Sequence, residues 1–383
     1  MKKFIFGSLI LSFFNFGMIG CTGNSDKASN DSEIRIGQFG SLTGAEATFG
    51  QSTDKGIRLA IDAVNAAGGV KGKKIKLITE DNQGKPDEAA AVVKKLITQD
   101  NVLALLGEVA SNRSLAAAPI AQQFRIPMIS PSSTNPKVTE IGNYIFRVCF
   151  IDPFQGPVMA KFAFEDLKVK KVAILKDLKS DYSLGLTEFF EKKFKELGGE
   201  ITSIQNFQTG DTDFKAQLTA IRSEKPDAIF IPAYYTEVGL IARQARQLGI
   251  KATLLGGDGW DSPKLFEIGG EAIEGAYYSN HYSTESPNPA TQEFIKKYKE
   301  KYSETPDGMA ASGYDAARVL VQALEKVDEL TPDKVREAIA ETKDFKGATG
   351  TITIDQNRNA DKEAFIVQVK DKGLKFIRTL SLK

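Results

Sequence analysis

Residues 103–136 read in order as a buried strand, a polar loop, a helix, a second buried strand and a second polar loop. No other feature limits the possible folds as strongly. Leu103-Ala-Leu-Leu-Gly107 is a short apolar run of the kind buried on both faces of a parallel sheet. It leads into Val109-Ala-Ser-Asn112, which can cap a helix running to about Phe124. Ile126-Pro-Met-Ile129 opens the next strand and leaves Ser130, Ser132, Ser133, Thr134 and Asn135 at its exit. Open α/β sheets bind ligands at the carboxyl ends of their strands. Two hydroxyl-rich loops there can form a small anion pocket of hydroxyl and backbone N–H donors. Plain helix capping and turn formation is the competing reading of the same loops.

The alternation extends along the chain. A strand opening at Ile34, a helix over 51–67 stopped by Gly68-Gly69, a strand over 75–80 and a helix over 86–99 precede the central stretch. A second series follows Asp152-Pro153: helix 152–167, strand 171–175, helix 185–197, strand 201–207, helix 213–222, strand 227–232, helix 237–248 and strand 253–256. Such βαβ series imply parallel, doubly wound sheets. Two series suggest two similar lobes, although no sequence repeat links them. Helices over 289–302, 310–327 and 332–341 and strands over 351–355 and 365–370 close the chain. From the pattern alone, the region after Tyr282 forms a third domain or completes one of the lobes.

A chain of 383 residues is long enough for two cores. Its 42% hydrophobic and 26% charged content is that of a soluble globular protein. Lys2, Lys3 and the apolar run from Phe4 to Phe16 fit a secretory signal. Setting those two lysines aside leaves 48 basic residues against 49 acidic ones, a charge of about −1. No basic stripe points to nucleic acid. Met18-Ile-Gly-Cys21 resembles the bacterial lipoprotein box, which would make Cys21 a lipidated first residue that ties the protein to a membrane. Residues 22–32 then read as a polar tether. Cys149 is the other cysteine and has no intramolecular partner, so a buried hydrophobic role is expected. One histidine, His281, excludes a zinc site built on a cysteine and histidine cluster. Gly37-Gln-Phe-Gly40 breaks the dinucleotide spacing, residues 68–74 break the phosphate-loop pattern, and no G-x-S-x-G elbow occurs. An enzyme and a resident cofactor are therefore not expected.

Gly40-Ser-Leu-Thr-Gly44, Phe49-Gly50 and Asn65-Ala-Ala-Gly-Gly-Val-Lys-Gly72 resemble the start of the periplasmic leucine/isoleucine/valine-binding proteins. So do Ile129-Ser-Pro-Ser-Ser-Thr-Asn-Pro136, Arg243-Gln-Ala-Arg-Gln-Leu-Gly249, Gly256-Gly-Asp-Gly-Trp260 and Tyr314-Asp-Ala-Ala317. The resemblance implies the type I fold of this family: two doubly wound parallel-sheet lobes joined by three crossovers, closing on ligand as a hinged trap. The crossovers would fall near 152–155, 280–282 and 361–364. The first lobe would then comprise 33–153 with 282–361, and the second 154–281 with 362–383, after a signal peptide over 1–20 and a tether over 21–32.

By the same resemblance, Ser111, Ser132, Ser133 and Thr134 hold the ligand's carboxylate. Asp258 and Tyr234 meet its ammonium, Tyr182 closes from the other lobe, and Phe49 and Ala110 line the side-chain pocket. Some relatives carry a disulfide between the second-strand and third-strand loops; Asn82, Gln83 and Ala110 stand there here, so that staple is missing. The implied function is a monomeric periplasmic or cell-surface receptor that passes an amino acid, a branched-chain one first, to the permease of an ABC transporter. The alternative is a receptor for an amide, urea or an aromatic compound that signals through a separate partner.

Overall fold

The computed structural model describes residues 33–381. The signal segment, the tether and Cys21 lie outside the described residues. The first series runs β1 (Glu33–Gly40), α1 (Ala47–Ala66), β2 (Lys74–Asp81), α2 (Pro86–Thr98), β3 (Ala104–Leu106), α3 (Ser111–Gln123), β4 (Met128–Ser130), α4 (Lys137–Glu140) and β5 (Ile145–Arg147). The second runs α5 (Asp152–Lys161), β6 (Lys171–Asp177), α6 (Asp181–Glu196), β7 (Glu200–Phe207), α7 (Lys215–Glu224), β8 (Ala228–Phe230), α8 (Tyr235–Gln247), β9 (Thr253–Gly256), α9 (Pro263–Gly269) and β10 (Tyr277–Asn280). The chain ends with α10 (Pro289–Tyr302), α11 (Gly308–Lys326), α12 (Pro332–Ala340), β11 (Phe345–Gly347), β12 (Gly350–Ile354), β13 (Ala360–Asp361), β14 (Ala364–Lys370) and β15 (Gly373–Leu380).

Strands β2-β1-β3-β4-β5 form one parallel sheet. In the second sheet, β7-β6-β8-β9-β10 are parallel, and β14 and β15 add to the β10 edge in antiparallel fashion. Numbered from its own first strand, each parallel set has the order 2-1-3-4-5. The two series are thus the same winding used twice, although no sequence repeat reveals it. Each sheet reverses its winding beside its first strand, and ligands of doubly wound sheets bind outside the strand ends at such points.

The region after Tyr282 is not a third domain. Phe294, Tyr298, Ala310, Tyr314, Leu320 and Ile352 share one buried cluster with Ile34, Ile36, Ile57 and Ile61 of β1 and α1. The opposite face of the first sheet packs on α2 and α3 through Val93, Leu96, Ala117 and Ala121. The core of the second sheet includes Ile174, Phe190, Phe230, Leu254 and Ile366. The chain therefore passes between the sheets three times, after β5, after β10 and after β13.

Helix α3 departs from expectation at its start. Ala110 takes the cap position with no side-chain hydrogen bond, and Ser111 is already helical. The expected cap from this serine and asparagine pair does not form, which leaves the Ser111 hydroxyl available elsewhere. Helix α6 begins four residues before the expected start, because the Ser180 hydroxyl accepts from the Ser183 N–H at 3.2 Å and caps it. Tyr182 consequently sits on a first helical turn rather than in a loop.

Candidate functional site

Eight side chains follow the carboxyl ends of eight strands. Phe49 comes after β1, Ser111 after β3, Thr134 after β4 and Asp152 after β5; Tyr182 follows β6, Tyr234 β8, Asp258 β9 and His281 β10. All eight are buried. The first four come from one sheet and the last four from the other, so the site belongs to the cleft between them.

Asp258 is the centre of the polar half. One carboxylate oxygen accepts from Gln155 Nε2 at 2.6 Å. The other lies 2.9 Å from His281 Nε2 and accepts from the Ser132 hydroxyl at 3.4 Å. The Ser132 contact joins the two sheets. Ser111 Oγ accepts from the Asn135 N–H at 3.2 Å and so bridges the β3 and β4 loops. Among the described residues, Thr134 Oγ1, Gln155 Oε1 and His281 Nδ1 are buried without a protein partner. Ser133 is different: its hydroxyl donates toward the Glu108 and Val109 carbonyls at 2.9 Å and meets Ser114 Oγ at 2.7 Å. Its side chain is therefore engaged with the β3 loop and the first turn of α3.

The apolar half is aromatic. The rings of Tyr182 and Tyr234 stack at 5.2 Å and 9°. Phe49 meets Tyr234 edge-on at 5.5 Å and Tyr235 at 5.0 Å. The Tyr182 hydroxyl accepts from the Gly259 N–H at 3.1 Å. A Cβ on Gly259 would stand 2.9 Å from Tyr234 and 3.0 Å from Tyr182, and one on Gly257 would stand 2.6 Å from the Tyr182 oxygen. Asp258 is flanked by glycines so that these rings can close over it. Ala110 is buried beside this wall, and its N–H donates to Glu108 Oε2 at 2.6 Å.

Beneath the loops lies a charged network that the sequence reading missed. Glu108 Oε1 accepts from Ser41 Oγ at 2.8 Å, from Asn82 Nδ2 at 3.1 Å and from Arg113 Nε at 3.2 Å. Arg113 Nη1 also pairs with Glu46 at 3.1 Å. Burial pushes the Glu46 carboxyl above its ordinary range, against the pull of Arg113. The loops after β1, β2 and β3 are thus tied through Glu108. Arg147 of β5, fully buried, donates to the Ser133 carbonyl and reaches the Pro136 carbonyl and Thr139 hydroxyl at 3.2 Å each. It holds the serine-rich loop from below. No local motif marks Glu108 or Arg147 in the sequence, and His281 enters the sequence reading only as the lone histidine that speaks against a zinc cluster.

The group presents hydroxyls and a carboxylate about a common space, next to three aromatic rings. That set complements a small zwitterion with an apolar side chain. Among the described residues, no cluster of three or more His, Cys, Asp or Glu side chains is placed to hold a metal, and no helix is long and apolar enough to cross a membrane.

Comparison with known proteins agrees with this fold. A family model described as periplasmic binding protein matches residues 33–374. The leucine-, isoleucine-, valine-, threonine- and alanine-binding protein of Pseudomonas aeruginosa is 30% identical over 353 residues, spanning 92% of this chain and 94% of its own. The crystal structure of a leucine-binding protein from Thermotoga maritima superposes with a TM-score of 0.87 at 42% identity, covering 91% of this chain and 99% of the other. The branched-chain amino acid transporter substrate-binding protein of Streptococcus pneumoniae, solved with isoleucine, gives 0.86 at 34% identity, covering 90% and 99%.

Proposed function

The chain belongs to the periplasmic binding protein family, and on that premise we propose that it is an extracytoplasmic receptor that captures a free amino acid, branched-chain by preference, and delivers it to the permease of an ABC transporter. The observation that carries this reading is the 3.4 Å contact of Ser132 with Asp258, which brings the hydroxyl loops of one sheet against the carboxylate of the other. The α-carboxylate of an amino acid would meet the Ser111, Ser132 and Thr134 side, and its ammonium would meet Asp258 and Tyr234. Ser133 acts by shaping the loop. Phe49, Ala110 and Tyr182 enclose the side chain, and burying a leucine- or valine-sized group contributes about 1.5–3 kcal/mol. An aromatic acid has no ammonium to answer Asp258, which disfavours the alternative reading.

Lobe boundaries at 153/154, 281/282 and 361/362 belong to the proposal, supported by the three passages between the sheets. A lipid anchor at Cys21, action as a monomer and lack of catalysis belong to it too; the first rests on the sequence around Met18-Ile-Gly-Cys21.

The test is Asp258→Ala. Truncating one partner of a buried charge pair costs about 2–5 kcal/mol, so leucine binding measured by calorimetry should weaken by more than tenfold. Unchanged affinity would remove Asp258 from the site.

A further inference from the structure

His281 is the first residue after β10, on the second passage between the sheets, and is fully buried. Its ring lies 3.9 Å from the Phe150 ring, tilted by 36°, and its Nε2 is 2.9 Å from Asp258 Oδ2. We propose that His281 is a positioning residue of the ammonium site, fixing the Asp258 carboxylate through Nε2 and so setting the charge that this carboxylate presents to a ligand. The inference rests on the amino-acid reading above and assigns a residue that neither the sequence motifs nor the comparisons single out.

A carboxylate as short as aspartate reaches less far into a cleft than glutamate, so its orientation must be held. Gln155 pins one oxygen at 2.6 Å and His281 the other at 2.9 Å. A neutral imidazole can do this only by donating from Nε2, which leaves Nδ1 an unprotonated acceptor; Nδ1 is the buried ring atom without a protein partner. Burial lowers the imidazole pKa below its ordinary value, against the Asp258 pull, and Lys362 on the third passage lowers it further. The ring is therefore held as the neutral partner of the carboxylate. A second proton on the ring would cancel the carboxylate's charge and compete with the ammonium.

The sign follows from linkage. The ligand prefers the deprotonated ring, so affinity is complete above the imidazole pKa and falls as pH drops through it, by at most about tenfold per pH unit. Four other titratable groups face Asp258; burial pushes the Cys149 thiol up to about 12 and holds the Tyr234 hydroxyl well above its usual range. Asp152, on the first passage, titrates near 8. Burial holds the Tyr182 hydroxyl well above its usual range. None of the four changes state between pH 5 and 6.5.

The experiment titrates leucine into the full chain and into His281→Phe and His281→Gln between pH 5 and 8, after unfolding and refolding to strip carried-over ligand. His281→Phe should bind about 10–100-fold more weakly, the effect of losing a hydrogen bond to a charged group. His281→Gln, which keeps an N–H donor, should recover most of that loss and show no acid fall-off, while the parent protein shows it. Because the chain has one histidine, ¹⁵N-histidine labelling reads a single pair of ring nitrogens, expected as protonated Nε2 and bare Nδ1 at pH 7. Equal affinity in His281→Phe, or an identical pH profile in His281→Gln, overturns the role of His281 alone. A parent protein that binds no amino acid at all overturns the receptor reading and this role with it.

Discussion

Asp152 shows how a buried group that makes no bond can still be read. It lies on the first passage between the sheets, fully buried, with neither carboxyl oxygen hydrogen-bonded to protein. Burial pushes its pKa up to about 8, against the pull of the nearby Thr134 hydroxyl and Arg147. The folded protein thus favours the protonated acid, and the associated stability is full below pH 4 and declines as pH rises toward 8. Asp152→Asn mimics the protonated form. It should raise the unfolding free energy of the ligand-free protein by upward of about 1 kcal/mol at pH 8, with the gain vanishing near pH 4. Arg113 makes the opposite case. It is buried between Glu46 and Glu108, so Arg113→Met leaves two carboxylates without their counter-charge. Denaturant unfolding should register a loss of about 3–5 kcal/mol. Neither the burial of Asp152 nor the pairing of Arg113 with Glu46 and Glu108 was legible in the sequence, because burial depends on which loops meet and charged residues are ordinarily exposed.

At the scale of elements, the turn from Gly256 to Trp260 carries most of the specificity of the local sequence. Its glycines look like ordinary turn residues by composition. In the structure the space they leave is filled: the Trp260 ring packs at Gly256 and the two stacked tyrosines at Gly257 and Gly259. Gly259→Ala should cost about 1–3 kcal/mol in stability through overpacking, and it should weaken leucine binding by displacing Tyr182 and Tyr234; melting curves and calorimetry check the two effects separately. The hydroxyl-rich loops after β3 and β4 were legible as loops at strand ends, and the capping alternative fails at α3, where Ala110 rather than a hydroxyl residue holds the cap. The long helices followed apolar spacing and were legible, whereas α4 and α9, of four and seven residues, were not. Strands β5 and β10, of three and four residues, escaped because runs so short carry no period, and β15 escaped because only its pairing with β14 makes it a strand.

The whole molecule is two copies of one winding that face each other, and hydrogen bonds cross the gap between them. Thr48 Oγ1 meets Ser262 Oγ at 2.8 Å, Thr236 Oγ1 donates to the Ala45 carbonyl at 2.8 Å, and Asn135 Nδ2 donates to the Asp181 carbonyl at 2.8 Å. Such contacts exist only while the lobes are together, so they favour the closed arrangement without touching ligand. Asn135→Ala should speed leucine release by about 3–10-fold in stopped-flow measurements, consistent with one hydrogen bond of about 0.5–1.5 kcal/mol. Alternation of apolar runs revealed both sheets, whereas the strand order and the return of residues 282–361 to the first sheet depend on long-range packing. Gly56 of α1, tight against the Ala310 carbonyl of α11, is one contact that fixes this return. The most direct test of the account is calorimetric titration of the refolded protein with leucine, isoleucine, valine, phenylalanine, glutamate, benzoate, acetamide and urea. Micromolar binding, worth about −8.2 kcal/mol, confined to the aliphatic amino acids is the predicted result. Binding of benzoate or an amide with no response to any amino acid would contradict the zwitterion site and the role of Asp258.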